Sequence, residues 1–392
     1  GGTHLNDIVF LEPVFHDGAL VAWVTNLAHH SDFVDRHHEH IFQEGLRIPP
    51  IRLYREGVLQ QDVMDLVLLN CQVPHERVAD FRAQMAANRL GVQRYQGLCT
   101  KYGAETVRAA GSRILDYAER KTRTGISTIP DGVYEESCRF DTNLVDHVVD
   151  LKVKIEVKDG EIFFDLDGNP DQLPAGVNMV MTATLATVYF AVKSLVDPGI
   201  PANSGFHRPI HVTAPEGNVF NAVAPAAVYS RTDIGQRLVD LIFAALSKAI
   251  PERVCAACTG GGLMTLSGIH PRTGRFYVYN EMCGGGMGAR AGLDGLDAVQ
   301  VHTTNTANIP IEALEFEHPV MVEAYELVQD SGGAGEFRGG MTMRRRIRAL
   351  DHEATANAGG TNAILPPWGL FDGQSGTTTV VELGEGVAPF KH

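Results

Sequence analysis

From His75 to about Arg123 the chain is built of helix-forming residues, with Val78, Phe81 and Met85 at helical spacing. On both sides of this block the hydrophobic period changes to two. A helical segment set between alternating segments commits the chain to a mixed α/β (mixed α+β) fold, since neither an all-helical bundle nor an all-β sandwich accommodates both patterns. A break near Tyr102-Gly103 divides the block into a helical hairpin.

Upstream, Asp7 to Phe15 and Ala19 to Leu27 read as two strands joined by a tight turn at His16-Asp17-Gly18, Asp-Gly being a strong hairpin signal. Downstream, Val145 to Lys158 alternates, Asp159-Gly160 turns, and Glu161 to Asp167 returns. Asn178 to Leu195 reads as a helix stopped by Asp197-Pro198-Gly199, and Gln236 to Ala249 as another ended by Pro251. Beyond Val254 the sequence predicts short strands between glycine-dense turns, at Gly260-Gly261-Gly262, Gly284-Gly285-Gly286, Gly332-Gly333 and Gly339-Gly340. The change of period places a domain boundary near residue 125: residues 1–125 form a hairpin-plus-helical domain, and residues 126–392 a mixed to β-rich one.

The net charge of −14 disfavours nucleic acid and anionic membrane as partners. Six scattered cysteines fit reduced thiols better than a disulfide framework, which predicts a cytoplasmic location. The stretch from Gln172 to Val192 lacks charge but is interrupted by Asn178 and threonines, so it reads as buried helix and not as a membrane span. The chain opens with Gly1-Gly2-Thr3 and not with Met, so the natural N-terminus is expected to be missing.

Seven of the sixteen histidines, His4, His16, His29, His30, His37, His38 and His40, fall in the first 40 residues. A hairpin turning around Asp17 sets position 4 opposite 30 and position 7 opposite 27, so His4, Asp7, His29 and His30 meet at its open end. Two imidazoles and a carboxylate suit a divalent transition metal. A spacing of three puts His4 and Asp7 on opposite faces of an ideal strand, so the pair requires a bulge or coil at the strand start. On spacing alone, a metal site and polar residues finishing a hairpin are equal readings.

The run His37-His38-Glu39-His40 reads as solvated histidines in a charged loop, with metal binding a secondary reading. Cys255-Ala256-Ala257-Cys258 is a lone Cys-x-x-Cys, read as buried small residues and given no role. Gly284 to Arg290 could nest an anion or merely turn. Asp165 to Asn169 starts like a calcium loop but has no Glu at the twelfth position, so it is a turn. Thr303 to Glu312 could line a polar pocket or be a satisfied loop. No Gly-x-x-x-x-Gly-Lys-Ser/Thr phosphate loop is present.

Taken together, Gly2-Thr3-His4-Leu5-Asn6-Asp7, Ala28-His29-His30-Ser31-Asp32, Phe42 to Pro50 and Ala86-Ala87-Asn88-Arg89 resemble the hydantoinase B family. The pattern continues in Phe206 to Ile210, Ala214 to Gly217, Gly284 to Arg290, Asn305 to Glu312, Asp330 to Gly335 and Pro366 to Leu370. The family holds the B-type chains or domains of N-methylhydantoinases, ATP-dependent oxoprolinases and lactamases, and acetone-type carboxylases, and is usually longer at both ends than this chain. The histidine run at 37–40 is not a feature of it. The resemblance implies a hydantoinase B-like fold and a divalent metal, Mn or Zn foremost and Fe or Ni as alternatives, held by His4, Asp7 and His29. It also implies His30 and Asp32 as catalytic residues beside the metal, either alternative ligands or outer partners. A hydantoinase A-like partner subunit would bind ATP and phosphorylate the carbonyl oxygen of a cyclic amide or ketone, and this chain would complete the reaction in a cytoplasmic hetero-oligomer. The implied activity is hydrolysis of a cyclic amide C–N bond. A metal-bearing subunit of an acetone- or acetophenone-type carboxylase and a non-catalytic scaffold subunit are the alternatives.

Overall fold

The computed structural model describes residues 2–30, 38–382 and 384. It is a mixed α/β chain of several small sheets and seven helices among the described residues. Two compact units share it: one takes residues 1–135, 152–235 and 276–278, the other 136–151, 236–275 and 279–392.

The first unit begins with the hairpin β1 (Asp7–His16) and β2 (Ala19–His29). Asp17 at φ 49° and Gly18 at φ 76° make the two-residue turn, both in the left-handed region that a primed turn requires. The turn pairs His16 with Ala19, and a bulge at Val14/Phe15 then shifts the register so that Asp7 faces His29. This corrects the expected 7-to-27 pairing by two residues, because the turn is centred between Asp17 and Gly18 and the bulge adds one more step. The outward face of the hairpin leaves Val9, Leu11, Phe15, Trp23 and Leu27 exposed.

A short hairpin, β3 (Tyr54–Arg55) and β4 (Val58–Leu59), and helix α1 (Gln61–Leu69) precede the long pair α2 (Pro74–Tyr102) and α3 (Ala104–Ile126). Pro74 at the first turn costs no helical hydrogen bond, and Gly103, at φ 82°, turns the chain between the two helices. The fully buried Phe81 of α2 packs on Phe10, and Gln84 donates to the Ile8 carbonyl, which fixes the hairpin on the helix.

The four-stranded sheet runs in the order β5 (Gly132–Phe140), β6 (Val149–Lys158), β7 (Glu161–Asp165), β8 (Ile210–Thr213), with β7 and β8 parallel. Strand β6 alternates strictly, burying Val149, Leu151, Val153, Ile155 and Val157. Helices α4 (Met181–Val196) and α5 (Ser204–His207) lie between β7 and β8 in sequence. Of the expected helix over 178–195, the part from Met181 onward is helical.

Helix α6 (Arg231–Leu246) opens five residues before the expected Gln236 and is buried along most of its length. The second unit takes α6 from Gln236 onward and most of the sheet β10-β9-β13, formed by β9 (Gly262–Ile269), β10 (Phe276–Cys283, of which residues 276–278 belong to the first unit) and β13 (Ala354–Gly360). Helix α7 (Ile311–Glu317) and the pair β11 (Val320–Leu327) and β12 (Met343–Ala349) complete it. The glycine clusters here are more than turns. A Cβ on Gly286 would strike the Gly340 carbonyl, one on Gly288 the Ala256 carbonyl, and one on Gly340 the Leu296 carbonyl, so backbone lies directly on backbone. No helix among the described residues is long and apolar enough to cross a membrane.

Two glycines of the first unit differ in surroundings, and their substitution should differ in sign. Gly205→Ala drives a methyl into the Leu115 backbone and is expected to lose about 1–3 kcal/mol in urea unfolding. Gly111→Ala meets nothing within 4 Å on the exposed side of α3 and should gain about 0.5–1 kcal/mol.

Candidate metal centre

Residues 3–6 precede β1 as a bend and turn and do not extend the strand, so the alternation that would separate His4 from Asp7 does not apply. The Asp7 amide donates to the His4 carbonyl at 3.2 Å, and Asp7 Oδ2 accepts from both the amide and the hydroxyl of Thr3 at 2.9 Å. Fully buried Asn6 fastens this turn to the other strand: its Nδ2 donates to the His30 carbonyl at 2.7 Å, and its own carbonyl accepts from the His30 amide at 2.9 Å. The His4 ring thereby comes to 4.9 Å from that of His29, while Asp7 faces His29 across the ladder. The coil required at the strand start is this turn.

His4 Nδ1 lies 2.9 Å from Asp7 Oδ2, yet this buried nitrogen has no partner of hydrogen-bonding geometry. Arg231, in the first turn of α6, donates through Nε to Thr3 Oγ1 at 2.7 Å and through Nη1 to the Tyr229 carbonyl at 3.1 Å. Its Nη2 stands 3.9 Å from Asp7 Oδ2. The Tyr229 ring is 6.0 Å from His4. Glu44, buried, accepts through Oε1 from the amides of Val228 and Tyr229, both at 2.7 Å, and its Oε2 has no hydrogen-bond partner.

Burial chiefly, opposed by Asp7 and helped by Arg231, lowers the pKa of His4. At the end of β2, His29 keeps exposed surface but is pushed down to about 4, first by loss of water around the ring and then by His4. Burial alone would raise Asp7, but the His4 ring, the Thr3 amide and Arg231 outweigh it and hold the carboxyl well below the usual range. The set is therefore two neutral imidazoles and a carboxylate at neutral pH, the protonation state that metal ligation demands. The orphaned Nδ1 beside a carboxylate oxygen suits a divalent cation in its donor chemistry, but the ligand atoms of His4, Asp7 and His29 do not all come within 4.8 Å of one another, so the His29 ring would have to turn inward to complete the set.

His30 lies elsewhere, packed on α2: its Nε2 meets Gln84 Oε1 at 3.1 Å, its Nδ1 lies 3.4 Å from Arg77 Nη1, and its ring abuts Phe81. Asp32 and His37 fall outside the described residues. His38 and His40 are half-buried with exposed Glu39 between them, and His40 bridges Ala226. Sequence reasoning gives no role to Arg231, Tyr229 or Glu44. Glu44 stands inside the Phe42-to-Pro50 motif, while nothing local marks Arg231. A different group meets that spacing: among the described residues, the ligand atoms of Cys255, Cys258 and His302 all come within 4.8 Å of one another.

Residues 1–390 match the family model described as hydantoinase B/oxoprolinase. The B component of a putative D-/L-hydantoinase from a Pseudomonas species is 33% identical over 399 residues, covering 96% of this chain and 66% of that protein. The chain thus spans slightly under two thirds of this curated relative. The crystal structure of the ATP-dependent caprolactamase from Pseudomonas jessenii aligns with TM-score 0.80 and 29% identity, over 91% of this chain and 64% of that one. A nucleotide-free acetone carboxylase structure aligns at TM-score 0.83 over 91% of this chain and 51% of that one; at 16% identity this is a likeness of fold.

Glu44 supplies a pH test. Burial raises its pKa above 4.5 despite the two amides and Arg231. A raised carboxylate stabilises the fold fully below its unfolded value and loses that contribution as pH rises through the folded one. Unfolding of the parent chain compared with Glu44→Gln, across pH 4 to 8, should show the parent losing stability relative to the variant as pH rises. A difference that grows in the opposite sense would mean that the carboxylate is held by its partners and not opposed by its burial.

Proposed function

The chain belongs to the hydantoinase B/oxoprolinase family, and we propose that it is the metal-bearing B-type part of an ATP-dependent enzyme that opens a cyclic amide at its C–N bond. The observation that carries this reading is that the end of one hairpin brings the His4–Asp7 pair, at 2.9 Å, beside the His29 ring, 4.9 Å from that of His4. The name of the caprolactamase, at 29% identity, supports a lactam as the substrate class, and the hydantoinase relative's designation as one component of its enzyme supports a hetero-oligomer with an A-like partner. ATP is assigned to that partner, in keeping with a sequence that carries no phosphate loop of its own. The six free cysteines support a cytoplasmic setting.

His4, Asp7 and His29 would hold the cation, with Mn or Zn the first choices. When bound, it would supply Lewis-acid polarisation of a carbonyl or phosphoryl oxygen. Arg231 holds Thr3 and faces Asp7, so it keeps the carboxylate ionised and oriented. Burial raises the pKa of Glu44 and its Oε2 has no hydrogen-bond partner, so we assign to that oxygen the donation of a proton to the departing ring nitrogen. His30 is proposed to help only through the buried contacts that lock the strand end, and Asp32, outside the described residues, stays a proposed catalytic residue.

Reconstitution with an A-like subunit, ATP and a panel of lactams and hydantoins should give ring opening that neither chain achieves alone. ATP and lactam hydrolysis at full rate by this chain alone would overturn the division of labour. Labelled bicarbonate with a ketone tests the carboxylase alternative in the same assay. In the same complex, His29→Ala should retain the fold by circular dichroism, lose its metal, and lose turnover by more than the about 10–100-fold typical of an outer partner. Full metal content and turnover in that variant would reduce the histidines to the finish of a hairpin.

A further inference from the structure

We propose that Cys255, Cys258 and His302 form a second metal site, a zinc centre within the second unit, with Asp240 as the carboxylate that sets the histidine ring. The three ligand atoms lie within 4.8 Å of one another, and each residue is at least nine-tenths buried. Tetrahedral zinc, with bonds of about 2.0–2.3 Å, spaces its ligand atoms about 3.5 Å apart, so only small side-chain rotations separate the described arrangement from a coordinating one. Two sulfurs and one imidazole are the donor set that zinc favours over the harder divalent cations.

The surroundings are those of a metal-ligating set. Asp240, on α6, lies 2.8 Å from His302 Nε2 through Oδ1, and the same oxygen accepts from the Cys258 amide at 3.1 Å. Arg237 Nη1 donates to Asp240 Oδ2 at 3.0 Å and fixes the carboxylate in turn. A carboxylate behind a histidine is the usual device for orienting a metal ligand. Cys258 Sγ also accepts from the Gly288 amide at 3.3 Å, which fixes the position of the sulfur. Only the two cysteines are visible as a motif in the sequence; the third donor comes from a distant loop.

The neighbours of the two cysteines in the chain, Ala256, Ala257 and Thr259, line a cavity of about 480 Å³ whose other walls include Gly286 to Gly292 and Trp368. A zinc ion here would join α6, the 255–258 stretch and the loop at His302, and so fix one wall of that cavity. Its role would be to hold shape, since both sulfurs are buried away from solvent.

Cobalt(II) is the probe, because thiolate ligation gives a near-ultraviolet charge-transfer band that the histidine–carboxylate centre cannot produce. The metal-free full chain should take up one equivalent with this band, zinc should displace it, and His29→Ala should keep it. Cys255→Ser and Cys258→Ser should each abolish it. Absence of the band in the parent chain overturns the proposal, whether all six thiols then titrate as free or two fewer do, the latter marking a disulfide. Persistence of the band in both serine variants also overturns it. Should those variants fail to fold, the chain with all six cysteines decides: in the His29→Ala background a chelator should lower the melting temperature, and no shift would overturn the site.

Discussion

The carboxylate of Asp7 is the charge around which the first unit's centre is assembled. Almost completely buried, it would be costly there alone. It is offset by the Thr3 amide and hydroxyl, by the His4 ring at 2.9 Å and by Arg231 at 3.9 Å. Two of those partners are held in turn, Thr3 by Arg231 and Arg231 by the Tyr229 carbonyl, and Glu44 holds the Val228 and Tyr229 amides behind them. Segments around residues 3, 44 and 230 are thereby locked together to satisfy one ion, and breaking any link leaves a buried polar group unpaired.

How much of this is legible in the sequence follows from range. The hairpin can be read because Asp17-Gly18 encodes a primed turn locally, and the helical pair because Gly103 interrupts one long period. The register differs by two from the one the pattern implies, because the bulge at Val14/Phe15 leaves no mark in the hydrophobic alternation. The turn over residues 3–6 is inferable only as a need for coil, since what holds it is the bond from Asn6 to His30. His4, Asp7 and His29 can be named from a motif, whereas Arg231 is joined to Thr3 across 228 positions and depends on tertiary packing alone. The same limit hides His302 from any reading of Cys255 and Cys258.

Glycine in the second half shows a different limit. Its clusters suggest turns because turns are the commonest reason for glycine. In the structure Gly286, Gly288 and Gly340 serve close approach: their missing side chains let segments far apart in sequence lie one upon another. Composition announces the glycines, but only their partners reveal which use each is put to.

The two compact units are interleaved along the chain, each assembled from three separate stretches. Neither is encoded by an unbroken run of codons, so a single recombination crossover cannot exchange one unit and leave the other whole.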